Sequence, residues 1–142
     1  MKINNTIITQ VYVNEIAYKI VSCAIEVHKT IGPGLLESIY HDCLLEELEQ
    51  EGFYTQSQIE IPIIYKGKNL GKKLKIDILV NELIIVELKA VETILPIHQA
   101  QLLSYMKLSE MPKGLLINFN CDNIVKNMVP MVNELFANLP KA

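Results

Sequence analysis

The order of hydrophobic patterns predicts an α/β domain: a mixed β-sheet, made of an antiparallel meander plus a crossover strand, flanked by helices. Three observations carry this. Two segments of helical period come before position 52, and three strand-like segments lie between 54 and 91. A further helical segment then separates these from a short apolar run at 114–119, which returns to the sheet. The 142 residues suit one domain with one sizeable core, and a 50% hydrophobic share against 20% charged excludes disorder.

Other classes are excluded as quickly. No apolar run approaches the roughly 18 residues that span a bilayer, and Met1-Lys2-Ile3-Asn4-Asn5-Thr6 lacks the apolar core of a signal peptide. Cys23, Cys43 and Cys121 are odd in number and lie in apolar patterns, which fits reduced thiols in a cytoplasmic protein.

Taken in order, residues 14–30 carry Ile16, Ile20, Cys23, Ala24 and Val27 at helical spacing, with Asn14 as a cap and Gly32-Pro33-Gly34 as the stop. His28 falls near that helix end, where it suits the helix dipole. A second helix over 35–51 has an apolar arc of Leu36, Ile39, Tyr40, Cys43, Leu44 and Leu48. Glu37 falls inside that arc, so it is expected off the solvated face. It reads either as a first-turn glutamate favoured by the helix dipole or as a carboxylate aimed at a site on the sheet. Strands follow over 54–65 and 70–80, joined by Lys66-Gly67-Lys68; Pro62 predicts an edge or an irregularity. Pro96 opens a helix over 97–108 whose polar stripe is His98, Gln101 and Tyr105, opposite Leu102, Leu103 and Met106. Residues 121–142 are expected to form a helical tail, broken at Pro130, with Met128, Met131, Val132, Leu135 and Phe136 as core or dimer surface, core being favoured. A homodimer remains open on that basis.

The chemistry concentrates on residues 83–91. This is a continuous β-branched apolar run, yet Glu87 and Lys89 sit in it two residues apart, on one face of a strand. Buried charges of this kind cost several kcal/mol or more unless paired, solvated or bound. Asp77 is a second acid in an apolar setting, between Ile76 and Ile78. A two-residue loop at Asn81-Glu82 would pair Asp77 with Val86 and set Asp77 and Glu87 on opposite faces. Their convergence therefore requires an odd-numbered loop or a β-bulge, and one is predicted.

Glu37, Asp77, Glu87 and Lys89 can then meet at one sheet edge. Three carboxylates repel one another unless a hard divalent cation relieves them, and Mg²⁺ takes oxygen ligands while keeping exchangeable waters. With Lys89 to orient or help deprotonate a water, this is the equipment of a phosphodiester hydrolase.

Asp77 followed by Glu87-Leu88-Lys89 resembles the PD-(D/E)xK nuclease signature. Gly34-Leu35-Leu36-Glu37 is similar to the GxxE motif of RecB-like nucleases, and Gln101-Leu102-Leu103-Ser104-Tyr105 to their QxxxY motif. More narrowly, Gly34-Leu35-Leu36-Glu37-Ser38-Ile39-Tyr40, Val86-Glu87-Leu88-Lys89-Ala90-Val91 and Leu116-Ile117-Asn118-Phe119-Asn120 resemble the GxxExxY protein family. The resemblance covers about residues 20–120. It implies a restriction-endonuclease-like core with Asp77, Glu87 and the Leu88 carbonyl as ligands for Mg²⁺ or Mn²⁺. It further implies a metal role for Glu37, catalytic work for Lys89, and a supporting or backbone-contacting role for Gln101 and Tyr105. Lys75 stands where the family often has arginine, so a point charge replaces a bidentate fork.

The net charge of −3 does not draw nucleic acid to the molecule as a whole. All 13 basic residues are lysines, however, and Lys66, Lys68, Lys72, Lys73 and Lys75 fall together without an acid. Such a run is first a solvated hairpin tip. Alternatively, Lys72, Lys73, Lys75 and His98 contact phosphates, through backbone and shape rather than sequence. The expected activity is hydrolysis of nucleic acid, DNA before RNA, with low sequence specificity. The competing expectation is a catalytically silent nuclease-like module that binds nucleic acid or a protein partner.

Overall fold

The molecule is organised on a five-stranded mixed sheet whose spatial order follows the chain. A computed structural model describes residues 1–142 with the exception of Asn4. The elements are β1 (Lys2–Ile3), β2 (Thr6–Ile7), α1 (Gln10–Ile31), α2 (Glu37–Gln50), β3 (Thr55–Tyr65), β4 (Lys68–Val80), β5 (Ile84–Lys89), α3 (Pro96–Ser109), β6 (Lys113–Asn118), β7 (Met128–Val132) and α4 (Glu134–Ala137). β1 and β2 form a small separate hairpin, and the main sheet runs β3-β4-β5-β6-β7. Only the β5–β6 pair is parallel, and α3 makes the crossover between them. This is the predicted meander with a crossover strand, and it has the restriction-endonuclease-like form.

Two layers cover the sheet. On one face Ile20, Val27, Tyr40, Leu44 and Leu48 of the α1–α2 pair pack on Ile78, Val80, Ile84, Val86, Leu88 and Ile117. On the other, Leu102 and Met106 of α3 pack on Leu74, Ile76, Leu79, Ile85 and Leu116. Gly114 lets α3 approach this closely: a Cβ there would stand 2.7 Å from the Met106 sulfur and about 3 Å from Leu102.

Several boundaries differ from expectation. The cap of α1 is Thr9, whose side chain accepts from the Tyr12 N–H, so the helix starts before Asn14. His28 does more than face a dipole: Nε2 lies 2.7 Å from the Cys121 carbonyl and ties α1 to the end of β6. Leu103 is exposed on α3, and Leu36 and Ile39 are exposed on α2. The helical tail is a correction. Met128–Val132 is a strand paired antiparallel with β6, because β6 offers an open edge. Pro130 fits this outer strand, where a missing N–H can face solvent. Only the short α4 remains helical. Met128 and Met131 pack against the two opposite clusters, while Val132 and Leu135 are exposed. Among the described residues, no helix is long and apolar enough to cross a membrane.

Candidate active site

The β4–β5 connection sets the site. β4 ends at Val80 and β5 starts at Ile84, so the loop is Asn81-Glu82-Leu83, three residues. It is odd-numbered, as the convergence of the acids demands. Asn81 and Glu82 both take left-handed backbone (φ 51 and 55). Asparagine tolerates this through local hydrogen bonding. Asn81 also clamps β3: its N–H donates to the Tyr54 carbonyl (2.8 Å) and its Oδ1 accepts from the Tyr54 N–H (2.9 Å). Leu83, 1% exposed, anchors the loop in the core.

The resulting register pairs Ile78 with Val86, Leu79 with Ile85 and Val80 with Ile84. One step further, Asp77 stands opposite Glu87. There side chains replace the backbone ladder. Glu87 Oε1 accepts from the Asp77 N–H (3.0 Å), and Asp77 Oδ2 accepts from the Leu88 N–H (2.9 Å). Each acid thus binds the other's strand. The alternation of β4 also slips at this point. Leu74 and Ile76 share a cluster with Leu79, while Ile78 and Val80 join the opposite one. On β3, Gln58 facing this point has φ 54.

Burial and charge then act together. Glu87 is 7% exposed. Burial pushes its carboxyl up to about 8, with the Asp77 charge and a hydrogen bond to the Asp77 carboxyl acting in the same direction; the Lys89 ammonium pulls the other way. Glu87 therefore holds its proton more tightly than an ordinary carboxyl does. Glu37, the first residue of α2, is exposed at the rim. Partial burial and Asp77 raise its carboxyl, and Lys89 and His41 oppose the rise. The position inside an apolar arc is therefore corrected: Leu36 and Ile39 open to solvent beside Glu37. Its carboxyl is raised, by partial burial first and the Asp77 charge second, although it sits in the first turn of a helix.

Two parts of the chain hold these groups in place. Tyr40, fully buried, donates from its hydroxyl to the Gly32 carbonyl (2.6 Å) and accepts from the Leu35 N–H (3.1 Å). Its ring stacks on Phe119 at 4.7 Å. The Gly32-to-Leu35 bend, with Gly34 at φ 96, is locked by that one side chain, which aims the start of α2 and Glu37. Beyond Lys89, Asn118 is buried and holds Val91 by both backbone groups: Nδ2 to the carbonyl at 2.8 Å, and Oδ1 from the N–H at 3.1 Å. The Phe119 N–H donates to the Lys89 carbonyl at 2.9 Å.

A family model of the PD-(D/E)XK nuclease superfamily matches residues 14–130. The chain belongs to this superfamily. No curated protein and no solved structure matches it. As a PD-(D/E)XK nuclease-like domain, it brings together Glu37, Asp77, Glu87 and Lys89, near enough for Asp77 and Lys89 to act on the proton affinity of both Glu37 and Glu87. Among the described residues, no three His, Cys, Asp or Glu side chains form a metal-holding cluster. Two carboxylates with oxygen donors only are nevertheless a donor set that a hard divalent ion accepts, its remaining positions being filled by water or substrate. Divalent-metal chemistry is typical of the superfamily, and the burial and Asp77 charge that raise the Glu87 carboxyl are what a cation would offset.

The other expected site residues make no hydrogen bond to the acids among the described residues. Gln101 Nε2 donates to the Tyr105 hydroxyl (2.8 Å) on α3, and no hydrogen bond among the described residues ties this pair to the acids. His98 Nδ1 accepts from the Leu95 N–H (3.0 Å), so the imidazole caps α3. Lys72, Lys73 and Lys75 lie exposed on β4.

Two residues escaped sequence reasoning. His41 Nε2 lies 3.0 Å from the Ser57 hydroxyl and 3.3 Å from the Asp77 carbonyl, joining α2 to β3 and β4 at the site. Its signal was its place one turn after Glu37. Asn118 was visible within the 116–120 segment that resembles the GxxExxY family, but with no role of its own.

Proposed function

We propose that this chain is a Mg²⁺- or Mn²⁺-dependent phosphodiesterase that cleaves nucleic acid, DNA in the first place, with low sequence specificity. The interlocked Asp77–Glu87 pair, one step from Lys89, is the observation that carries this. A structural role alone does not require a buried acid held against a second, half-buried one. Asp77 and Glu87, with the Leu88 carbonyl and Glu37, would hold the ion. When bound, it neutralises the pair and stabilises charge on the attacked phosphate. Lys89, whose backbone is fixed by Phe119 and whose strand exit is fixed by Asn118, orients the attacking water through its ammonium. Gln101 and Tyr105 support substrate backbone from α3. His41 holds Asp77 through the main chain. The Gly34–Glu37–Tyr40 unit supports placing the chain in the GxxExxY group.

The test is cleavage of single-stranded and duplex DNA and RNA with and without divalent metal, using Lys89→Ala as control. Loss of cleavage in the variant supports the assignment; equal cleavage by the variant refutes it. The net charge of −3 favours one competing reading, a silent module that binds nucleic acid or a protein partner. That reading gains if the folded protein binds but never cleaves.

A further inference from the structure

The β3–β4 hairpin continues far beyond the sheet. β5 reaches β4 only at Ile78, Leu79 and Val80, whereas β3 and β4 stay paired out to Tyr65 and Lys68. At a strand rise of about 3.3 Å per residue, roughly 25 Å of two-stranded arm projects past the acid pair. One face of the arm is accounted for: Ile59, Ile61, Ile63, Leu74 and Ile76 pack with the α3 cluster. The other face is not. Lys73 and Lys75 alternate with Leu74 and Ile76, are exposed, and look to the side of the sheet that carries α2 and Glu37. Lys72 sits where the register shifts after Pro62, and Lys66 and Lys68 close the tip. Residues 61–76 hold these five lysines and no acid, although the chain as a whole carries −3.

We infer that this arm is the substrate-tracking surface: its lysines bind successive phosphates of a nucleic-acid strand as it leaves the Asp77–Glu87 site. The inference rests on the nucleic-acid reading proposed above and deepens it. Lys75 is two residues from Asp77, so the lysine row begins at the acid pair and runs away from it. A polyanion fits this row where an acidic protein surface fits less well, because the charges follow a line and are made of lysine alone. Lysine meets phosphate as a point charge, without the bidentate fork that arginine brings to carboxylates. The one ion pair on the arm, Lys73 with Glu60 at 3.2 Å, has both side chains more than half exposed, so phosphate can displace it. At the tip Tyr65 is 60% exposed, with the Lys66 ammonium 5.5 Å from its ring centre. An aromatic face beside a row of cations is the equipment of single-strand binding.

The experiment measures binding, with metal chelated so that nothing is cut. A labelled single-stranded DNA oligonucleotide is titrated at several salt concentrations against wild type and two charge-matched variants. One variant carries Gln at Lys66, Lys68, Lys72, Lys73 and Lys75. The other carries Gln at the exposed Lys19, Lys29, Lys107, Lys126 and Lys141. The arm variant is expected to bind at least about tenfold more weakly at low salt, with the log–log salt slope reduced by about 3 in magnitude. The second variant stays within about threefold of wild type, and circular dichroism confirms that both are folded. Equal weakening in the two variants, or no loss in either, overturns the arm. Arm-dependent binding without cleavage by the metal-loaded wild type keeps the arm and removes the enzyme. Cleavage with arm-independent binding does the reverse.

Discussion

The two halves of β4 carry charge on opposite terms. In the outer half Lys73 meets Glu60 at 3.2 Å with both side chains in solvent. In the inner half Asp77 meets Glu87, a like charge, inside the sheet, and the Glu87 carboxyl is driven far up from its ordinary range. A few residues of strand separate the two pairs. The difference shows that solvent decides what a charge contact is worth: water screens the favourable pair almost to nothing and leaves the unfavourable one unrelieved. A protein keeps the second kind only if something else offsets it, which is what a bound cation does.

Activity should separate the halves most sharply. Asp77→Asn or Lys89→Ala should lower metal-dependent cleavage by about 100-fold or more, the scale for losing a charge-stabilising or proton-handling group. Lys73→Gln should lower it only several-fold, at subsaturating substrate. A comparable collapse from Lys73→Gln would erase the distinction. Next in size is the scaffold of the inner half. Asn118→Ala leaves both backbone groups of Val91 unpaired, and denaturant unfolding should show a loss of about 2 kcal/mol, within the range for orphaned buried polar groups.

The pH dependence tests the same pair. Folding raises the Glu87 pKa, so the native state holds a proton that the unfolded chain has released. Metal-free stability should therefore be complete below about pH 4.5 and fall as pH rises towards about 8. Glu87→Gln should flatten that decline, read as melting temperature against pH. The smallest effect belongs to the outer half. Glu60→Gln should change stability by no more than about 0.5 kcal/mol, as exposed pairs do. A larger cost would mean the arm is more ordered by that contact than its exposure suggests.

Much of this was legible in the chain, and the reasons are physical. Side-chain parity alone shows that Asp77 and Glu87 converge only through an odd loop or a β-bulge, and the three-residue Asn81-Glu82-Leu83 loop provides the first of these. The strands, the α3 crossover and the Gly32-Pro33-Gly34 stop follow from period and punctuation. What stayed hidden depended on contacts across the chain. Residues 128–132 have no decisive period of their own, and become a strand because β6 has a free edge. The place of His41 at Ser57 and Asp77 depends on how α2 crosses β3. Tyr40 and Leu36 were equal members of an apolar arc, yet one is fully buried and the other 71% exposed. The stacking on Phe119 and the hydroxyl's bonds to Gly32 and Leu35 tell them apart.

The central claim is that the Asp77–Glu87 pair is a cation site, and thermal stability with and without metal tests it most directly. At pH 8, millimolar Mg²⁺ or Mn²⁺ should raise the melting temperature of the wild type, because the ion binds the folded pair and not the unfolded chain. The rise should vanish in Asp77→Ala. No rise in the wild type, or an equal rise in the variant, would contradict it.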